Sequence, residues 1–141
     1  MTTRTIGVIQ VKGGAGRSTV ATNLAGELSK LGKAVLIDCD MPQGTSASWY
    51  ALREQAGLAE NLMGGLQADT ASSHRELIAK VQQYEDADYM VLDGPPRIAE
   101  LTRAILVLAD LCLIPVGASA AEIWATGDIL DLIREASSVG R

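Results

Sequence analysis

A glycine-rich segment between an apolar run and a helical pattern carries the clearest chemistry in the sequence. The apolar run consists of Ile6, Val8, Ile9 and Val11, and the glycines that follow it are Gly13, Gly14 and Gly16. The helical pattern begins at Ser18. Because glycines let backbone amides approach an anion, and a helix N-terminus presents unpaired N–H groups, this order predicts a phosphate-binding loop. Lys12 and Arg17 add positive charge on either side of it. The alternative is a glycine turn that binds nothing.

Acidic residues follow two predicted strands of this chain. Asp38 and Asp40 follow the apolar stretch 34–37, and Asp93 ends the stretch 89–92 before Gly94. The carboxyl ends of parallel strands lie at the sheet edge where open α/β folds bind ligands. The alternatives are that Asp38 and Asp40 cap the next helix, and that Asp93 belongs to an ordinary turn.

The alternation of strand and helix patterns along the chain predicts an α/β fold, a mainly parallel sheet with helices on both faces. Helices are expected at 18–31, 46–55, 74–84 and 122–136, and another helix carries the apolar stripe Ile98, Leu101, Ile105 and Leu108. The stripe of the first helix is Val20, Leu24, Leu28 and Leu31, and that of 74–84 is Leu77, Ile78, Val81 and Tyr84. Further strands are expected within 60–66 and over 111–116. We interpret His74 as a solvated residue at a helix start.

Composition restricts the class of protein. The 141 residues are 48% hydrophobic and 21% charged, which indicates one globular domain over 1–141. The net charge of −5 argues against a broadly basic nucleic-acid surface. The start of the chain does not resemble a signal peptide, and no apolar stretch reaches membrane-spanning length, so a cytoplasmic protein is expected. Cys39 and Cys112 have no spacing typical of a disulfide or metal site.

The glycine loop resembles that of a known family. The ordinary phosphate-loop pattern G-x-x-x-x-G-K-S/T fails at Val11 and Arg17. The pattern K-G-G-x-G-K-S/T-T, with an extra lysine at the start, is typical of the ParA/MinD ATPases. It is matched by Lys12, Gly13, Gly14, Ala15, Gly16, Ser18 and Thr19, and only Arg17 departs from it. The segments around Asp40 and Asp93 also resemble this family, which implies a P-loop NTPase fold.

The resemblance implies roles for individual residues, with ATP and Mg²⁺ as cofactors. The phosphate-binding residues would be Lys12, Gly13, Gly14, Ala15, Gly16, Arg17, Ser18 and Thr19. The magnesium ligands, direct or through water, would be Ser18, Asp38 and Asp93. Lys12 would reach the partner subunit's nucleotide, Asp40 would orient the attacking water, and the amide of Gly94 would sense the terminal phosphate. The family's iron–sulfur carriers are disfavoured by the positions of Cys39 and Cys112.

The resemblance also implies a cellular role. We expect an ATPase of plasmid or chromosome partition that works as a nucleotide-dependent homodimer. Its partners would be a centromere-binding ParB-type adaptor and possible non-specific DNA, and no membrane. Family members continue beyond 111–116 with further strands, so we expect a domain incomplete at its C-terminus, with that strand at a sheet edge. Because of Arg17 and the early end, the alternative is a non-catalytic regulatory or interaction module.

Overall fold

The computed structural model describes residues 2–9, 17–39, 51, 65–95, 100–115, 127 and 130–135. Several predictions fall outside these residues. They concern the loop residues Lys12, Gly13, Gly14, Ala15 and Gly16, the carboxylate of Asp40, the helix at 46–55 and the segment 60–64.

Five parallel strands form the sheet of the described chain. They are β1 (Arg4–Val8), β2 (Ala34–Asp38), β3 (Leu66–Thr70), β4 (Tyr89–Asp93) and β5 (Leu111–Leu113), in the spatial order β3-β2-β4-β1-β5. Every residue of β2 is buried, as are four of the five residues of β4. Such near-continuous apolar strands are typical of a parallel sheet covered on both faces, so the predicted α/β fold is confirmed.

Helices cover the two faces of the sheet. They are α1 (Arg17–Leu28), α2 (His74–Gln83) and α3 (Glu100–Leu108), and residues 130–135 are also helical. Alternate strand residues such as Leu36 and Val91 pack with α1, whereas their neighbours Ile37 and Leu92 pack with α2 and α3. This period of two divides the core into two layers. No helix in the described ranges is long and apolar enough to cross a membrane.

The structure corrects four predicted details. The first helix ends at Leu28 rather than at 31, and Leu31 is 69% exposed. Ile78, predicted to face inward, is exposed. The strand expected within 60–66 begins only at Leu66, because Gly65 has a φ of +76°, a turn conformation that favours glycine. The strand expected over 111–116 spans Leu111–Leu113, and it lies at an edge of the described sheet, as expected.

Candidate functional site

Two buried carboxylates lie side by side at the carboxyl edge of the sheet. Asp38 ends β2 and Asp93 ends β4, and the two are register partners in adjacent strands. Both residues have no exposed surface. Because side chains alternate along a strand, Asp38 lies on the same face as Leu36, and Asp93 lies on the same face as Val91. That is the face covered by α1. The predicted metal ligands are therefore brought together beneath the N-terminus of α1.

The first two residues of α1 contact one of these carboxylates. The Nε of Arg17 donates to the Oδ1 of Asp93 over 2.8 Å, and the hydroxyl of Ser18 donates to Oδ2 over 3.0 Å. The Nη2 of Arg17 also donates to the Oγ of Ser18, at 3.4 Å. Arg17 is only 5% exposed. Asp93 thus accepts hydrogen bonds on both oxygens, one of them from a buried cation.

The burial of this cluster makes its charges strongly dependent on one another. A buried carboxylate is costly unless a cation or several donors compensate it, and Arg17 provides that compensation for Asp93. The thiol of Cys39 lies in the same buried surroundings, close to both carboxylates. Burial raises the pKa of its thiol far above the usual range, and the neighbouring Asp38 and Asp93 raise it further. The thiol therefore stays protonated and is a poor nucleophile.

The other described residues of the predicted site are placed differently. Thr19 is exposed, and its carbonyl accepts hydrogen bonds from Thr22 and Asn23 on the next turn of α1. The amide of Gly94, predicted to contact a terminal phosphate, donates instead to the carbonyl of Val8 over 2.9 Å. The contact with a terminal phosphate stays a prediction. The amide would have to leave Val8 before it could reach a phosphate.

The residues present fit a magnesium ion that takes most of its ligands from phosphate and water. The Oγ of Ser18 is a neutral oxygen donor, and Asp38 and Asp93 are carboxylates, the donor type that Mg²⁺ prefers. Within the described ranges, no cluster of three or more histidine, cysteine or acidic residues could hold a metal by itself. A magnesium ion held by one or two protein groups takes its other ligands from phosphates and water.

Two features of the structure were missed by the sequence analysis. One is the direct pair between Arg17 and Asp93, which are separated by 76 positions and carry no local signal of contact. The other is a polar cluster in which Lys80 and Tyr84 both hydrogen-bond to Asp69. The spacing of four between Lys80 and Tyr84 places them on one helix face and could have indicated half of that cluster.

Comparison with known proteins agrees with this geometry. Residues 3–82, more than half of the chain, match the sequence model of a family described as an AAA domain. The relatives with similar sequences include a carboxysome distribution protein and a chromosome-partitioning ATPase. The chain belongs to the ParA/MinD-like family of P-loop ATPases.

Two curated relatives illustrate the family. This ParA/MinD-like chain is 28% identical to the maintenance of carboxysome distribution protein A of Halothiobacillus neapolitanus, over 94% of this chain and 59% of that protein. It is 29% identical to the chromosome-partitioning ATPase Soj of Thermus thermophilus, over 94% of this chain and 62% of that protein. The chain therefore spans about three fifths of the length of these relatives.

A solved structure supports the fold. Cobyrinic acid a,c-diamide synthase of Mycobacterium smegmatis, in a structure with a bound ATP analog and magnesium, aligns with a TM-score of 0.75. The two chains are 19% identical over 97% of this chain and 67% of that one. At this identity the likeness shows the fold alone, and the fold by itself does not decide between a partition ATPase and a synthase.

Proposed function

We propose that this ParA/MinD-like chain binds and slowly hydrolyses magnesium-ATP, and that it acts in plasmid or chromosome partition through a nucleotide-dependent homodimer. The observation that carries this proposal is the cluster at the carboxyl edge of the sheet. There the hydroxyl of Ser18, at the N-terminus of α1, lies 3.0 Å from the fully buried carboxylate of Asp93. A hydroxyl and a carboxylate at a helix N-terminus are what a magnesium–phosphate complex requires.

In this proposal, one set of residues binds the phosphates and another set holds the magnesium ion. The residues that would surround the phosphates are Lys12, Gly13, Gly14, Ala15, Gly16, Arg17 and Thr19. Ser18 offers a direct oxygen ligand for the ion, whereas Asp38 and Asp93 hold its water ligands in place. When bound, Mg²⁺ neutralises charge that develops on the phosphate oxygens. The buried position of both carboxylates keeps their geometry rigid, which phosphoryl transfer requires because it depends on placement.

Two further residues carry the proposed catalysis and assembly. Asp40 orients the water that attacks the terminal phosphate, and Lys12 contacts the nucleotide of the partner subunit. Because Lys12 would stabilise only the paired state, ATP would shift the population toward the dimer and hydrolysis would release it. A centromere-binding ParB-type adaptor and non-specific DNA are the proposed partners. The names of the two relatives mention chromosomes and carboxysomes, and we propose DNA as the cargo here.

A second candidate function is a regulatory module that binds nucleotide without hydrolysing it. The buried contact of Arg17 with Asp93 favours this candidate, because the residue at the position of the usual lysine is paired with a carboxylate. A turnover measurement separates the two candidates. Asp40→Ala should abolish phosphate release while leaving ATP affinity within about twofold, since Asp40 acts on the water. Absence of phosphate release from the unaltered chain under saturating magnesium-ATP would favour the module.

The direct test of the proposal is equilibrium binding of a fluorescent ATP analogue, with magnesium and with a chelator. We expect weak binding that needs magnesium. Asp93→Asn should remove most of the magnesium-dependent affinity, because it removes a carboxylate that holds the ion's waters. The matched control is Asp86→Asn, which removes the same charge from an exposed carboxylate paired with Lys33. Tight binding that is insensitive to chelation would contradict the proposal.

A further inference from the structure

The guanidinium of Arg17 lies against the carboxylate that the proposed function assigns to magnesium. Its Nε is 2.8 Å from the Oδ1 of Asp93, and both side chains are buried. A solvent-exposed ion pair of this kind would contribute little to stability. A buried ion pair persists, because separating it leaves each charge buried without compensation. Arg17 therefore occupies one oxygen of Asp93 as a cation would.

We propose that Arg17 is a built-in counter-cation of Asp93, which excludes a divalent cation from this carboxylate until bound phosphates draw the guanidinium away. This inference rests on the proposed function, because it takes the cluster to be the magnesium–nucleotide site. It adds an order of events. A divalent cation does not bind at Asp93 by itself, and it binds there together with the nucleotide.

The charges of the cluster support the exclusion. Asp38 and Asp93 contribute two negative charges beneath α1, and Arg17 contributes one positive charge between the helix and the sheet. With Arg17 in place the three groups have a net charge of −1. Without the guanidinium of Arg17, the two remaining carboxylates would have a net charge of −2. At an effective dielectric constant of about 20, a unit charge at ~5 Å changes the energy of a divalent ion enough to alter its affinity by more than about tenfold.

The contact of Ser18 does not have to break when the ion enters. A hydroxyl has one hydrogen and two acceptor lone pairs. Ser18 can donate to the Oδ2 of Asp93, as it does here, and still offer a lone pair to magnesium. The contact of Arg17 with Oδ1 is different, because a guanidinium has no lone pair to share with a cation. Arg17 and magnesium therefore compete for Oδ1 of Asp93.

Because residue 17 is an arginine, its side chain competes with a metal ion for Asp93 until another anion binds the guanidinium. A lysine ammonium loses its proton readily when buried, whereas the guanidinium of arginine stays charged in any protein environment. The only way to release Asp93 is to offer the guanidinium another anion, and a triphosphate at the adjacent loop is such an anion.

The test measures metal binding in the absence of nucleotide. Mn²⁺ serves as the probe, and the free ion is counted by electron paramagnetic resonance. We expect Arg17→Met to bind Mn²⁺ at least about tenfold more tightly than the unaltered chain, because the pocket gains one net negative charge. The matched control is Lys33→Met, which removes the same charge from an exposed pair with Asp86 and should leave Mn²⁺ affinity unchanged. Equal Mn²⁺ affinity in Arg17→Met and the unaltered chain would overturn the inference.

A second measurement needs no substitution, and it decides the question if Arg17→Met does not fold. The Nε–H of Arg17 is buried and hydrogen-bonded, so it should give a separate NMR resonance. We expect this resonance to stay in place when Mg²⁺ is added alone and to move when Mg²⁺ and ATP are added together. A shift with Mg²⁺ alone would contradict the exclusion. Failure of ATP to bind at all would contradict the proposed function, while the Mn²⁺ result would still test the counter-cation.

Discussion

Asp69 shows how neighbouring donors set the charge of a single carboxylate. Its Oδ2 accepts hydrogen bonds from the Nζ of Lys80 at 2.9 Å and the hydroxyl of Tyr84 at 2.7 Å, and its Oδ1 accepts one from the amide of Thr70. Partial burial raises the pKa of Asp69, but the bonds from Lys80, Tyr84 and Thr70 outweigh it, and the net shift is downward. The hydrogen bond to Asp69, together with burial, raises the pKa of Tyr84 to about 12.

The lowered pKa of Asp69 predicts a loss of stability in acid. A carboxyl whose pKa is lower in the folded state binds fewer protons there than in the unfolded chain. Its contribution is therefore present above the unfolded value of 3.8 and disappears as the pH falls through the folded value. Asp69→Asn should lower the free energy of unfolding at pH 7 by about 1–3 kcal/mol and flatten its decline below pH ~4.

Urea denaturation between pH 7 and pH 2.5 measures this effect. The matched control is Asp86→Asn, whose carboxylate is exposed and forms an ion pair with Lys33. That change should leave the stability near pH 7 within experimental error. An acid profile of Asp69→Asn that parallels the profile of the unaltered chain would show that Asp69 contributes nothing through its charge.

Arg17 supports a prediction about rate at the same scale. A guanidinium is planar, larger than an ammonium and suited to bidentate contacts, so after it leaves Asp93 for the phosphates we expect it not to take the position that a lysine would take between them. A displacement of ~1 Å can cost on the order of 100-fold in phosphoryl transfer. Arg17→Lys should therefore raise the rate of phosphate release clearly, with little change in ATP affinity. An unchanged or lower rate would mean that the loop is already adapted to arginine.

At the scale of elements, α2 depends on its first residues. Ser73 caps the helix from an extended backbone conformation (φ −143°, ψ 162°), and its Oγ accepts from the amide of Glu76 at 3.1 Å. The carboxylate of Glu76 in turn accepts from the hydroxyl of Ser72 at 2.9 Å. The first turn of α2 is also tied to α3 by a contact of 2.6 Å between His74 Nδ1 and Glu100 Oε1. His74, predicted to be only solvated, therefore has a partner on another helix.

The cap predicts a measurable change in stability. Ser73→Ala should lower the free energy of unfolding by about 1 kcal/mol, because the amide of Glu76 loses its acceptor. Ser73→Asp keeps an acceptor at the cap and should retain most of the stability. Chemical denaturation of the two variants makes the comparison. If both variants lost the same amount, the hydrogen bond to Glu76 would not be the cause.

At the scale of the whole molecule, the packing of α3 on the sheet depends on a close approach of backbone and side chain as well as on buried apolar area. Gly7 lies in β1 beneath α3, where an added Cβ would collide with the Cγ2 of Ile105 and lie 3.2 Å from the Sγ of Cys112. Ile105 is fully buried and belongs to the larger core cluster. The distance between α3 and the sheet is therefore set by the absence of a side chain at Gly7.

This contact predicts a coupling between two positions. Gly7→Ala should destabilise the chain by about 1–3 kcal/mol through overpacking, and Ile105→Ala by about 2–5 kcal/mol through the loss of buried atoms. In the double variant the alanine at 7 fills part of the space left at 105, so the combined loss should be smaller than the sum. A double-mutant cycle by urea denaturation measures the coupling. Strict additivity would show that the two residues do not share this space.

The sequence by itself determined the local elements and the class of fold. Continuous apolar runs predicted β2 and β4, and apolar residues at helical spacing predicted the helices, because these signals depend only on residues near one another along the chain. Asp38 and Asp93 were predicted to follow strands at the carboxyl edge of the sheet, but their pairing in adjacent strands was not predicted. The family was also readable from local motifs, and residues 3–82 confirm it.

The tertiary structure alone decided which side chains meet and which face water. Leu31 and Ile78 are apolar and fit the helical spacing, yet both are exposed, because the helix end and the width of the covered face depend on packing against the sheet. The amide of Gly94 donates a hydrogen bond to the carbonyl of Val8, which lies on a neighbouring strand. The contact of Arg17 with Asp93 joins residues 76 positions apart, and only the assembled sheet and α1 bring the two charges together. Local patterns specify elements, but long-range pairing of charges depends on the distances that packing sets.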